Sequence, residues 1–348
     1  MCLDKFTMTS QSLPTPELKH TTPFIPHQLP TSKPSSTAKW NNTSPSNTSM
    51  SQLSPGTHAF KASNGITFKY SVCGTTTANL DKTLLIQCPG WGIGPRYLQS
   101  GLTPLENEYK LIFFHPRGSG GSSRPTDPAT MTSFDMAADL DLFRQHLNID
   151  RYPVLLGHSH GGTIVLAYAA TFPRRVAKLI LLDHRLLGHD DSAASRRYRE
   201  ERERGGDVRF ADAYRALATD YPTNDEELGA FMTRISPLYF FDPTTHVPRY
   251  LEAVGDQGYS FWCLDQMRLC DRTAAIGKRM IDGLKHVTAD TLIIFGGQDC
   301  QCTTENAEQT RDLGVDRATV VILDECGHFP WLEKPDETFI LIRDFLDR

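Results

Sequence analysis

The chain has 348 residues, a formal net charge of −5 and a hydrophobic content of 39%. An acidic balance argues against nucleic-acid binding, which needs a basic surface. No apolar run approaches the ~18 residues of a membrane-spanning helix. The N-terminus also lacks the apolar core of a signal peptide. We therefore expect a soluble, cytoplasmic protein without a membrane span.

The start of the chain differs in composition from the rest. Residues 1–56 contain 33 Ser, Thr, Pro, Asn or Gln, including 8 of the 22 prolines. Such a segment has too little apolar surface to offset the entropy lost on ordering, which predicts disorder. The residues that follow are enough for one large domain or for a domain with an insertion.

Short apolar runs alternate with helical patterns from residue 57 onward. Two strands at 57–63 and 66–72 flank Asn64-Gly65, a typical hairpin turn. Helical periodicity appears between several of the later runs, which lie at 83–86, 110–114, 153–156, 178–182, 291–295 and 319–323. This alternation predicts an α/β fold with a mostly parallel sheet covered on both faces, and antiparallel strands at one edge.

One separation, between residues 182 and 291, is too long for a simple crossover. It contains a charged stretch at 196–204 with opposite charges at helical i,i+4 spacing. That pattern favours a solvated helix face, and a basic grip on an acidic substrate is the alternative. We predict a mostly helical insertion at 186–286, above the end of the sheet. It would divide the core into segments 57–185 and 287–348.

The cysteines and the glycine-rich loop do not indicate a bound group. Eight cysteines without a secretion signal predict reduced thiols. Cys300 and Cys302 stand closer together than the usual zinc spacing. The loop at 114–122 lacks the glycine pattern of dinucleotide sites, and we expect Arg117 to bond its backbone carbonyls. We predict no metal site and no cofactor.

The most specific motif is Gly157-His158-Ser159-His160-Gly161, which follows an apolar strand and precedes an apolar helix. Small residues flanking a sharp strand-to-helix turn lift the central serine clear of the sheet, as in a nucleophile elbow. Ser159 is therefore the candidate nucleophile. The alternative is a structural turn with an exposed serine. We expect His158 to pack beneath the turn.

A serine nucleophile needs a base, and the base needs an orienting acid. Asp299 follows one apolar run and His328 follows the next, in the chain order serine, acid, histidine. The carboxyl ends of parallel strands meet at one edge of the sheet, so these residues are expected near Ser159. Asp183, one strand earlier, is the alternative acid.

The oxyanion formed by serine attack needs two N–H donors. One expected donor is the backbone of His160, directly after the nucleophile. The other is expected in the loop at 87–92, where we choose Trp91 and keep Gly90 as the alternative. A plain Pro-Gly turn is the competing interpretation of that loop.

Four motifs in this order carry a family resemblance: Arg117-Gly118-Ser119-Gly120-Gly121-Ser122, the elbow, and segments 296–299 and 327–335. From about residue 57 to 348 the chain resembles the α/β-hydrolase superfamily, and most nearly its proline iminopeptidase-like branch. The resemblance implies an eight-stranded sheet, a helical cap at 186–286 and a triad of Ser159, Asp299 and His328. The chain departs from true proline iminopeptidases at the elbow and at 88–92.

These observations predict a serine hydrolase that cleaves an ester, lactone or amide of a small, fairly apolar substrate through an acyl-enzyme. Aromatic residues of the insertion are the candidate substrate-binding groups: Tyr239, Phe240, Phe241 and Trp262. The alternatives are an aminopeptidase releasing N-terminal proline, a lyase or cyclase, and a non-catalytic ligand receptor. An aminopeptidase would need carboxylates for the substrate amine, for which Asp207, Asp212 and Glu252 are candidates.

Overall fold

The computed structural model describes residues 52–76, 80–206 and 208–348. The disorder predicted for residues 1–56 therefore falls mostly outside the described chain. Within it, Leu53 packs against the apolar core, and the backbone oxygen of Gln52 accepts a hydrogen bond from Tyr70 Oη at 3.1 Å. The folded part thus begins before the predicted boundary, because Leu53 contributes apolar contacts that the surrounding polar composition obscured.

Eight strands of the described chain form one sheet in the order β1-β2-β4-β3-β5-β6-β7-β8. Strand β2 pairs antiparallel with β1 and β4, and the remaining pairs are parallel. The predicted α/β sheet with an antiparallel edge is confirmed. The strands are β1 Gly56–Lys61, β2 Thr67–Gly74, β3 Thr83–Gln87, β4 Lys110–Phe114, β5 Tyr152–His158, β6 Val176–Leu182, β7 Asp290–Gly296 and β8 Ala318–Leu323.

The central strands are buried on both faces. Every residue of β3 and β4 is buried, whereas the edge strand β1 is mostly exposed. Continuous apolar runs suit a parallel sheet covered on both sides by helices, which explains why these runs were visible in the sequence. One apolar cluster lies on each face, around Phe143 and around Phe113.

Helices flank the sheet and fill the long separation after β6. Those outside the insertion are α1 Arg96–Gly101, α2 Ser133–His146, α3 His160–Thr171, α10 Glu305–Asp312, α11 Pro330–Glu333 and α12 Pro335–Asp347. Those between β6 and β7 are α4 Ser192–Arg204, α5 Val208–Thr219, α6 Asp225–Ile235, α7 Pro243–Val254, α8 Phe261–Asp271 and α9 Ala274–Gly283. Short 3₁₀ helices lie at Leu80–Lys82, Thr103–Leu105, Pro128–Thr130, Pro173–Arg175, Ser236–Tyr239 and Leu284–His286.

The helical segment between β6 and β7, which contains the insertion predicted at 186–286, has an apolar cluster of its own, which extends to Cys300 beyond β7. Its charged helix α4 is not only a solvated face. Arg199 is buried and donates to the carbonyl oxygen of Cys300 at 3.1 Å, and Arg202 donates to that of Phe241 at 2.8 Å. These two arginines attach α4 to neighbouring segments.

Two further observations concern the described residues as a whole. None of their helices is long and apolar enough to cross a membrane. All seven of their cysteines are free thiols.

Candidate active site

Ser159 occupies a sharp turn between β5 and α3. Its backbone has φ 54° and ψ −124°, a conformation that non-glycine residues rarely adopt and that is typical of functional sites. Its N–H donates to the carbonyl oxygen of Leu182 at 2.9 Å. A Cβ on Gly161 would lie 2.3 Å from the Gln87 carbonyl oxygen, so the turn requires glycine there. The expected elbow geometry is present.

Asp299 and His328 meet at the carboxyl edge of the sheet, in the loops after β7 and β8. His328 Nδ1 and Asp299 Oδ2 are 2.6 Å apart, and both side chains are buried. The other carboxylate oxygen accepts the N–H groups of Gln301 at 2.7 Å and Cys302 at 3.2 Å. A carboxylate only accepts hydrogen bonds, so Nδ1 carries the imidazole proton and Nε2 keeps its lone pair.

Asp183, the alternative acid, lies beside Asp299. Its Oδ1 accepts the N–H of Gly296 at 2.9 Å, and no donor in the described chain reaches its Oδ2. Burial, together with the charge of Asp299, raises the pKa of Asp183 well above its ordinary value. Burial thus disfavours the charged form of Asp183. The carboxyl group that bonds His328 is that of Asp299.

The loop after β3 follows a strand that neighbours β5 on the side away from β7 and β8. The N–H of Gly90 donates to His160 Nδ1 at 3.0 Å. The alternative that Gly90 donates to the oxyanion is therefore wrong, because its N–H already has an acceptor. The neighbouring Trp91 lines the cavity, and its ring stacks on Tyr259 with centroids 5.9 Å apart.

A cavity of about 830 Å³ opens at this edge of the sheet. The core contributes Ser159, His160 and His328 to its lining. The insertion contributes an apolar wall that includes Met232, Ile235, Tyr239, Leu264 and Met267. Charged side chains also border it: Arg185, Asp190, Arg268, Asp271, Arg272, Lys278 and Asp282. No described residue of 196–204 is among the lining residues, so the charged stretch makes no grip there.

The four aromatic residues chosen from the sequence have different surroundings. Tyr239 lines the cavity, with its ring 5.5 Å from that of His328. The other three lie outside the described lining. Phe240 is buried against Phe329, Phe241 packs near the Arg202 guanidinium, and Trp262 packs under Arg124. The other four wall residues named above are spaced three apart on α6 and α8, a helical spacing that was available in the sequence.

Two of the three carboxylates chosen to hold a substrate amine are described, and neither lines the cavity. Asp207 lies outside the described residues. Asp212 pairs with Arg234 at 2.8 Å, and Glu252 is exposed on α7. The buried carboxylate that does line the cavity is Asp271, at the end of α8, which no sequence motif marked.

His158 is buried beneath the elbow, as expected. Its ring nitrogens lie 3.0 Å from Tyr97 Oη and 2.8 Å from the carbonyl oxygen of His328. Burial and the neighbouring His328 hold the pKa of His158 well below its usual range. A neutral His158 thus supports the His328 loop from below.

Arg117 packs the glycine-rich loop through a wider set of bonds than expected. It donates to the carbonyl oxygens of Thr130 at 2.6 Å and Asp135 at 3.3 Å. It also forms a buried bidentate pair with Asp139, both bonds being 2.7 Å. In the same loop, burial lowers the pKa of His115 to about 4. These contacts give the loop a structural role.

One group in the described chain has the chemistry of metal ligands: donor atoms of Asp299, Cys302 and His328 lie within 4.8 Å of one another. Two of these residues already bond each other. Burial and the charge of Asp299 raise the pKa of the Cys302 thiol well above its ordinary value. Cys302 thus remains a neutral thiol and is a poor nucleophile.

Comparisons with known proteins agree with this architecture. The family model for the alpha/beta hydrolase fold matches residues 83–335. A probable proline iminopeptidase of Leptolyngbya boryana is 40% identical over 93 residues, which are 27% of this chain and 28% of that protein. The proline iminopeptidase PfmaB of Pestalotiopsis fici is 26% identical over 82% of this chain and 98% of its own length. A solved alpha/beta fold family hydrolase from Bacillus anthracis superposes with a TM-score of 0.63 at 20% identity, covering 83% of this chain and 98% of that one.

The chain belongs to the α/β-hydrolase family of enzymes. Within that family its sequence is similar to proline iminopeptidases. The match to the Leptolyngbya protein spans less than a third of that relative's length, whereas the match to PfmaB spans nearly all of it.

Proposed function

We propose that the chain is a serine hydrolase that cleaves an ester, lactone or amide of a small, fairly apolar substrate through an acyl-enzyme. One observation carries the proposal. His328, which is bonded to the buried Asp299, lines the same cavity as Ser159, which is held in a strained elbow. A nucleophile, a base with a free nitrogen and an orienting acid are the groups that acyl transfer requires.

In this mechanism His328 Nε2 takes the proton of Ser159 Oγ as the oxygen attacks the substrate carbonyl carbon. Asp299 holds the required tautomer and stabilises the imidazolium that forms. The N–H groups of His160 and Trp91 bind the developing oxyanion. Collapse of this intermediate breaks the bond to the leaving alcohol or amine, which takes the proton from His328. Water then attacks the acyl-enzyme by the same steps and releases the acid and free Ser159.

The cavity wall supports an apolar acyl or leaving group. Met232, Ile235 and Leu264 present hydrocarbon and thioether surface rather than hydrogen-bonding groups. Burial of apolar substrate surface against such a wall contributes roughly 25 cal/mol per Å².

A second candidate is an aminopeptidase that releases an N-terminal residue such as proline. Two observations favour it: the relatives described above carry that name, and the buried carboxylate of Asp271 lines the cavity. That carboxylate already accepts the N–H and hydroxyl of Ser133, which leaves it less able to bind an amine. The ester, lactone or amide hydrolase remains the main proposal.

The test compares wild type and Ser159→Ala on p-nitrophenyl acetate and proline p-nitroanilide. Ser100→Ala, at an exposed serine on α1, is the matched control. Ester turnover that disappears only in Ser159→Ala supports the main proposal. Preferential cleavage of the proline amide, dependent on a free α-amine, supports the second candidate. Wild-type turnover in Ser159→Ala, or ligand binding without turnover in the wild type, contradicts both.

A further inference from the structure

The side chain of His160 is bonded through both ring nitrogens. Its Nδ1 lies 3.0 Å from the N–H nitrogen of Gly90. Its Nε2 lies 3.0 Å from Ser133 Oγ and 3.4 Å from Asp271 Oδ2. Ser133 is fully buried, and His160 and Asp271 are more than nine-tenths buried. The network therefore forms inside the protein, directly beside the proposed nucleophile.

The donors and acceptors around His160 determine which of its ring nitrogens carries the proton. A backbone N–H can only donate, so Nδ1 of His160 must accept, and the proton of the neutral ring lies on Nε2. Asp271 accepts both the N–H of Ser133 at 2.8 Å and its hydroxyl at 2.5 Å. The hydroxyl is thereby free to accept the Nε2 proton of His160. The carboxylate of Asp271 thus selects the tautomer that accepts the N–H of Gly90.

The same insertion helix reaches both ends of the loop after β3. Asp271 is the last residue of α8, and hydrogen bonds through Ser133 and His160 connect it to Gly90. Ser260, the N-cap of α8, donates its N–H to the Gly92 carbonyl oxygen at 2.8 Å. Trp91 lies between these two attachment points.

We propose that Asp271 is a positioning residue that aims the N–H of Trp91 at the oxyanion by fixing the His160 tautomer. The proposal rests on the proposed function, because it assigns Trp91 to the oxyanion hole. Asp271 acts through two other side chains and makes no contact with the reacting atoms in this assignment. Through it, the docking of the insertion on the core becomes a condition for catalysis.

The variant Asp271→Asn reverses the polarity of the network while nearly preserving its shape. The new amide nitrogen donates to Ser133 Oγ instead of accepting from it. The hydroxyl proton thereby loses its acceptor on residue 271, and we expect it to turn toward His160 Nε2. The ring proton then moves to Nδ1, where it faces the N–H of Gly90, and the loop must shift. We expect kcat to fall about 100-fold, the scale of losing one oxyanion donor, with KM little changed.

The variant Ser133→Ala supplies the contrast. Removing the hydroxyl leaves the Asp271 carboxylate 3.4 Å from His160 Nε2, close enough to keep the proton there after a small shift. We expect a loss of kcat below about tenfold, since the tautomer persists. Asp265→Asn, at a carboxylate on the same helix outside the described lining, controls for charge loss on α8.

The experiment measures kcat and KM on p-nitrophenyl acetate, the affinity of a phenylboronic acid and the ring ¹⁵N resonances of His160, assigned with His160→Gln. Expected are an Nε2 proton in wild type and Ser133→Ala, an Nδ1 proton in Asp271→Asn, and boronate affinity that falls in parallel with kcat. Two results would overturn the proposal: an unchanged tautomer in Asp271→Asn, or equal losses in Asp271→Asn and Ser133→Ala.

A failure of the proposed function is distinguishable from a failure of this inference. Wild-type turnover in Ser159→Ala would remove the function but leave the ¹⁵N result interpretable, because the tautomer is observed without substrate. If Asp271→Asn does not fold, as shown by thermal unfolding, the inference is tested with Ser133→Ala and His160→Gln. Losses of kcat equal in these two variants then contradict it, whereas a loss at least tenfold larger in His160→Gln supports it.

Discussion

Two histidines line the same cavity as Ser159, and each is connected to a carboxylate. His328 contacts Asp299 directly at 2.6 Å, and both come from loops that follow sheet strands. His160 reaches Asp271 mainly through the Ser133 hydroxyl, and this connection joins the core to the insertion. Among the described residues, the hydrogen bond of the His328 ring is made by Nδ1, which leaves the Nε2 lone pair available to act as a base. Both ring nitrogens of His160 are hydrogen-bonded. The His160–Asp271 connection, although it also joins a histidine to an aspartate, can therefore only have a structural role.

Replacing each histidine by alanine should give the largest difference between the two roles. We expect His328→Ala to lose about 10⁴-fold to 10⁶-fold in kcat, because the proposed base is removed. We expect His160→Ala to lose only about 10²-fold to 10³-fold, because an oxyanion donor is displaced while the base remains. Steady-state kinetics on p-nitrophenyl acetate measure both values. Equal losses would show that the two histidines do not divide these roles.

The two acids on the His328 side provide the next test. We expect Asp299→Asn to lose about 10⁴-fold in kcat, because an amide facing Nδ1 favours the wrong tautomer. Asp183→Asn preserves the shape of a side chain that does not bond His328, so we expect less than about a tenfold loss. Both variants are assayed at one pH with thermal unfolding as the folding control. The reverse order of effects would assign the acid to Asp183.

Substrate contacts on the insertion should give smaller effects. Tyr239 lines the cavity and Trp262 does not, although the sequence favoured both. We expect Tyr239→Ala to raise KM for a bulky p-nitrophenyl ester about tenfold, the effect of losing roughly 1.4 kcal/mol of contact. Trp262→Ala should leave KM within about twofold, because its contact is with Arg124. A larger effect of Trp262→Ala would place the substrate elsewhere.

The raised pKa of Asp183 predicts a small change in stability with pH. Its contribution to folding is fully present below the pKa of the unfolded chain and is lost as pH rises through the folded-state value. The free energy of unfolding of the wild type should therefore fall, relative to Asp183→Asn, as pH rises from the ordinary pKa of an aspartate toward the raised folded-state value. Urea unfolding of the two proteins measures this difference, and a constant difference would contradict the raised pKa of Asp183.

The core and the Asp299–His328 pair could be predicted because their signals are local. Buried parallel strands appear as apolar runs, and residues that follow such strands meet at one edge whatever the intervening chain does. The positions of Asp299 and His328 at the edge of the sheet therefore follow from their places in the chain, each in the loop after a strand. The glycines around Ser159 are likewise fixed by a turn that excludes a Cβ.

The insertion could not be predicted to the same depth, because helix direction is set by packing rather than by local pattern. Tyr239 is the last residue of the 3₁₀ helix Ser236–Tyr239, and the next residue, Phe240, is buried in the core. In the sequence, Asp271 is indistinguishable from any other carboxylate at the end of a helix. Its role depends on the contact between α8 and α2, which only the structure shows. The engagement of the Gly90 N–H by His160 similarly depends on a contact between residues 70 positions apart.

The most direct test of the central claim is reaction with a fluorophosphonate, which phosphonylates activated serine nucleophiles. Peptide mass spectrometry should find one phosphonyl group on Ser159, in step with the loss of ester turnover. Ser159→Ala should take up none, and Ser100→Ala should react like the wild type. Label at another residue, or turnover that persists after complete labelling of Ser159, would contradict the proposed acyl-enzyme mechanism.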